Sequence, residues 1–65
     1  MLSDWELWAC ANEYVRRYGR DAGIHAAMQA DALFEAGDDD GAKAWRMIIA
    51  RIETLMPPPG AATLQ

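Results

Sequence analysis

Apolar side chains recur along this chain at helical spacing, in three blocks separated by short polar breaks. The clearest block is 39–55. On an α-helix, Ala44, Trp45, Ile48, Ile49, Ile52 and Leu55 share one face, while Lys43, Arg46, Arg51 and Glu53 fall on or beside the opposite one. Asp39 and Asp40 stand where the first free backbone N–H groups need acceptors, and their charge suits the helix dipole. A helix of this length is not stable alone in water, so its Ile-rich face must bury against the rest of the chain.

The first block opens with Ser3 and, three residues on, Glu6, the pattern of a capping box, with Leu2 placed to staple onto Leu7. Leu7, Trp8, Ala11, Tyr14, Val15 and Tyr18 form its apolar face, with Cys10 on the flank. Glu13 and Arg17 stand one turn apart and can pair on the outside. Gly19 is placed to end this helix, predicted over about 3–18. A second helix is predicted over 22–36, capped by Asp21, with Gly23, Ala26, Ala27, Ala30, Leu33 and Phe34 along its apolar arc and Ile24 at one edge. His25, Gln29, Asp31 and Glu35 lie on its outward side. Gly37 then stops it, and the aspartates that follow cap the third helix.

So short a turn makes the second and third helices antiparallel neighbours. The expected fold is all-α: a compact, antiparallel, up-down-up three-helix bundle over residues 1–56. The expected core is Leu7, Trp8, Val15, Phe34, Trp45, Ile48, Ile49 and Ile52. Pro57, Pro58, Pro59 and Gly60 cannot continue a helix, so 57–65 reads as a flexible, disordered, proline-rich tail.

At 65 residues there is room for one domain, and a chain of this size buries only about 60% of its unfolded surface. The 52% hydrophobic content overstates the core, because thirteen of those residues are alanine. Cys10 is the sole cysteine, so no internal disulfide can compensate, and a lone thiol fits a reducing cytoplasm. Self-association would bury further apolar area. The formal charge of −4 comes from ten acids against six bases, which opposes ordinary binding to nucleic-acid phosphates. Met1 to Asp4 has neither the basic region nor the apolar run of a signal peptide, and no stretch approaches the roughly 20 apolar residues of a membrane span. A cytoplasmic location is expected.

Candidate chemistry is sparse. With Gly41 at the sixth position of a calcium loop, Asp38 and Asp40 fall correctly, but Ala36 and Met47 occupy the two remaining ligand positions that matter most. His25 has no Cys or second His at ligand spacing and reads as a surface residue that Asp21 can hydrogen-bond. Cys10 reads as a buried inert thiol. No glycine-rich phosphate loop is present, so no enzyme, cofactor, metal or small-molecule substrate is expected. A helix-turn-helix is opposed by Asp38, Asp39 and Asp40 at the end of the helix that would enter the major groove.

The segments Glu6-Leu7-Trp8-Ala9, Ala36-Gly37-Asp38 with Gly41, and Trp45, Arg51 and Leu55 together resemble a family of short uncharacterised bacterial helical proteins. The resemblance covers most of 3–55. It implies a compact helical domain of bacterial or phage origin and carries over no functional residue.

The expected function is therefore a small non-enzymatic protein-interaction module, self-associating as a homodimer or docking on a protein partner. The alternatives are a small acidic inhibitor from a phage or mobile element that blocks a nucleic-acid-handling complex and, behind it, a helix-turn-helix DNA binder. The candidate contact residues lie off the core arcs: Trp5, Met28 and Met47, with Arg16 and Arg46 as rim. Trp5 has two readings, a half-exposed side chain over the bundle end with Arg16 stacked on it, or a partner anchor. Met28 likewise reads as solvent-exposed or as part of a contact surface.

Overall fold

The computed structural model describes residues 2–56; the expected tail at 57–65 lies outside the described residues. They form three α-helices, α1 (Asp4–Tyr18), α2 (Ala22–Glu35) and α3 (Asp39–Leu55), with one 3-10 turn, Gly19–Asp21, between the first two. No strand occurs among the described residues.

Local chemistry explains most of the boundaries. Ser3 Oγ accepts from the Glu6 N–H at 3.2 Å, and Glu6 Oε1 accepts in return from the Ser3 N–H at 2.9 Å. This reciprocal box starts α1. The hydrogen bonds from Ser3 hold the Glu6 carboxyl below the usual carboxylate range, and the Arg16 guanidinium does the same for Glu13. Because both folded pKa values are depressed, their contribution is present above about 4.5 and is lost as pH falls through the lower folded values. Thermal melts should therefore lose midpoint on acidification below that point. Ser3→Ala should flatten part of this dependence, and an unchanged acid slope would show that the box contributes nothing.

At the α2–α3 turn, Gly37 takes φ +85°, a left-handed conformation that closes α2 as expected. The aspartate run caps α3 as expected, at its first member. Asp38, not Asp39 or Asp40, lies outside the helix and accepts from the Gly41 N–H through Oδ1 at 2.9 Å. A Cβ on residue 41 would stand 2.5 Å from Asp38 Oδ2, so glycine is what lets this cap close. Asp38→Ala should cost about 1 kcal/mol in denaturant unfolding, against only a few tenths for Asp39→Ala, which acts through the dipole alone. Equal losses would return the cap to the later aspartates. Asp21 is a correction: its side chain makes no capping hydrogen bond, because the preceding 3-10 turn already feeds the chain into α2.

The core sits where α3 meets the other two helices. Its interface with α2 is the largest, and α1 and α2 share the smallest. Leu7, Ile48 and Ile52 are buried as expected. The other fully enclosed positions are small: Ala11, Ala22, Ala26, Ala30 and Ala42. Alanines on the buried side of α2 let α3 approach closely, and larger neighbours are left at the margins. Phe34, expected in the core, is 58% exposed. Trp8, Val15, Trp45 and Ile49 are half-buried. Leu2 packs against the cluster that contains Leu7, in keeping with the expected staple.

Aromatic contacts connect all three helices. His25 stacks on Tyr18 at 3.9 Å, Tyr18 meets Tyr14 at 5.1 Å, and Tyr14 meets Trp45 edge-on at 5.1 Å. His25 is thus half-buried against Tyr18 rather than turned outward to Asp21. Burial pushes the Tyr14 phenol up, with Tyr18 adding to the shift. Arg51 is a further correction, since it lies at the α1–α3 seam and not on the solvent face. Its Nη2 donates to Asp4 Oδ1 at 3.1 Å, and its guanidinium stands 5.2 Å from the Trp8 ring centre. A long side chain at the edge of the α3 apolar arc can lay its stem along the seam and carry its charge outward.

Candidate interaction surfaces

Three groups of side chains remain uncovered once this core is closed. On α1, Leu7 and Ala11 face inward, so Trp5 projects the other way and is 77% exposed. Ala9, Asn12 and Arg16 share its side of the helix, and all three are exposed. Arg16 does not stack on Trp5 as one reading supposed. It forms a two-point pair with Glu13, Nε to Oε1 at 3.2 Å and Nη2 to Oε2 at 2.7 Å. Glu13 also receives Arg17 at 3.3 Å, the expected one-turn pair. The pairing engages Arg16 with Glu13 instead of the indole, which stays 77% exposed.

On α2, Met28 is 59% exposed, and Ile24, placed by the sequence at the edge of the buried arc, is 63% exposed. These two stand one turn apart on the side opposite Ala22, Ala26 and Ala30. Phe34 lies nearer α3, where the Arg46 guanidinium sits 5.8 Å from its ring centre. Arg46, expected beside Met47, is engaged with α2 instead. Met47 itself is 37% exposed on α3.

The candidate contact residues Trp5, Met28 and Met47 thus occupy three different helices. Sequence periodicity does not mark Ile24 and Phe34 as exposed, because Phe34 falls on the broad apolar arc of α2 and Ile24 at its edge. A narrower buried stripe, the one-turn repeat Ala22, Ala26 and Ala30, was the available signal.

Charge is distributed unevenly over these surfaces. Residues 21–42 carry six acids (Asp21, Asp31, Glu35, Asp38, Asp39 and Asp40) and no Lys or Arg, a formal −6. The remainder carries four acids and six bases, a formal +2. All six of these acids are exposed, and among the described residues none of them forms an ion pair. Nor is any group of three His, Cys, Asp or Glu placed to hold a metal ion among the described residues. No described helix is long and apolar enough to cross a membrane.

No match to the chain is found among curated proteins or solved structures. A family model does match, over residues 3–57, and this span begins at the Ser3 cap and takes in all three helices and the residues that close the core. The chain belongs to this family, a family of unknown function designated DUF6961.

Proposed function

We propose that the chain is a non-enzymatic protein-interaction module, an antiparallel up-down-up three-helix bundle that works in the cytoplasm and uses Trp5 as its anchor. The bundle reading is supported by the short Ala36–Asp38 connection and by the packing of α3 on both other helices. The cytoplasmic reading rests on the half-buried free thiol of Cys10. The observation that carries the function is Trp5. A tryptophan 77% exposed, on a helix whose inward side is already filled, adds nothing to the core and presents a large rigid surface to a partner. A second copy of the chain is the first partner expected, since one patch meeting itself across a two-fold axis is the commonest arrangement.

Sedimentation equilibrium over a wide concentration range tests this. The average mass should rise toward the dimer with concentration, and Trp5→Ala should weaken association by about tenfold or more. Met47→Ala should weaken it less. A monomer mass throughout would remove self-association and leave a different protein as the partner of the Trp5 face.

A further inference from the structure

The outward side of α2 has a chemistry of its own. Ile24, Met28, Asp31 and Glu35 follow one another at steps of three and four residues, so they form a single stripe along the helix, and Asp21 stands in the turn just before its first member. All five are exposed. The middle of the stripe is apolar, Ile24 and Met28, and both ends are acidic. The exposed Asp38, Asp39 and Asp40 extend the negative end at the start of α3. The stripe itself contains no basic residue, and its acids have no ion-pair partner among the described residues.

We infer that this stripe docks a basic amphipathic helix of a partner protein, one with two or more large apolar side chains on one face and Lys or Arg at both ends of that face. The inference rests on the interaction-module reading but uses a different surface from Trp5. Charge complementarity identifies the occupant. A neutral apolar segment would cover Ile24 and Met28 while leaving the flanking carboxylates unmatched. A second copy is disfavoured on the same ground, because antiparallel pairing of the stripe with itself brings Asp21 toward Asp31 and Glu35. Like charges so juxtaposed oppose the contact. A helix-on-helix arrangement suits the spacing, since exposed residues one turn apart are what an i, i+3, i+4 partner face reads. Met28 contributes an adaptable, polarisable surface of the kind that accepts varied apolar side chains.

The probe is a synthetic amphipathic helical peptide with Leu along one face and Lys at both ends of it. Its controls are a scrambled peptide of the same composition and a version with Glu in place of Lys. Titrations at near-physiological salt should show the amphipathic Lys peptide binding about tenfold or more tightly than either control. Backbone amide shifts should map to 21–35. The double substitution Ile24→Gln and Met28→Gln should weaken binding about tenfold or more without altering the thermal midpoint, since both positions are exposed. Asp31→Asn with Glu35→Gln should weaken it and reduce its salt dependence. Trp5→Ala should leave the peptide affinity unchanged. Equal binding of the scrambled or Glu peptide, no binding of the Lys peptide, or insensitivity to the Ile24 and Met28 changes would each overturn the inference. Shifts mapping to the Trp5 face would overturn it too, while leaving the interaction-module reading intact.

Discussion

Ile48→Asp is expected to abolish the cooperative thermal melt of this domain and most of its helical circular dichroism at room temperature. Ile48 is 1% exposed and packs in the cluster of Leu7, Ala11, Ala22, Ala26 and Ile52, where all three helices meet. A carboxylate there has no cation or donor within the cluster, and an unpaired buried charge costs several kcal/mol or forces its own protonation. A domain of this size has a total stability of only about 5 kcal/mol to set against that cost. Met47→Asp, one residue earlier and 37% exposed, is the control and should retain a cooperative melt. If Ile48→Asp melts like the parent protein, the inward face of α3 has been misplaced.

Ala26→Leu is expected to destabilise the domain by about 1–3 kcal/mol, although leucine is nearly as good a helix former as alanine and far more apolar. Ala26 has no exposed surface, and with Ala22 and Ala30 it forms the one-turn stripe that α2 buries. Three added carbons at that position meet neighbouring atoms rather than empty space, because protein interiors are close-packed. Either α2 moves away from its neighbours and exposes Ile48 and Ile52, or the new side chain takes a strained rotamer. Ala32→Leu, on an exposed position of the same helix, should change stability by less than about 0.5 kcal/mol. Urea unfolding distinguishes the two variants. Stabilisation by Ala26→Leu would show that the helices stand further apart than described.

These two expectations mark where periodicity was a good guide and where it was not. The span of α3 is read correctly from its amphipathic pattern, because Trp45, Ile48, Ile49 and Ile52 on one arc leave one register. The Ser3–Glu6 box and the Gly37 stop are equally legible, since each depends on contacts within one turn of chain. Phe34, expected in the core, and Ile24, expected at the edge of the buried arc, are exposed for a different reason. An apolar arc records direction around a helix but not how near the neighbouring helix lies. When alanines set that distance, large side chains on either side of the stripe are pushed out to the rim. The cap of α3 shows the limit at finer scale, as three consecutive aspartates offer three candidate positions and only backbone geometry selects Asp38. The expected positions of Arg51 and His25 rest on polarity alone. Their contacts with Asp4, Trp8 and Tyr18 cross between helices and leave no periodic trace. The candidate contact residues Trp5, Met28 and Met47 are exposed, and the net charge of −4 conceals the negative segment at 21–42.

The placement of α3 as the common partner of α1 and α2 bears on how the chain acquires its structure during synthesis. The two helices that leave the ribosome first share the smallest interface of the three, and α3, which both of them need, follows last. No early pair of helices can close the cluster around Ile48 and Ile52, so the nascent segment through Glu35 gains little by collapsing. Folding then waits for residues 39–55, whose contacts with α2 close shorter loops than those with α1, such as Arg51 to Asp4. Until that moment the alanine stripe of α2 is exposed, and it is a poor target for aggregation or chaperone capture because its side chains are small. A domain organised around its third helix thus exposes its Ile-rich face only in the interval between the synthesis of that helix and its docking.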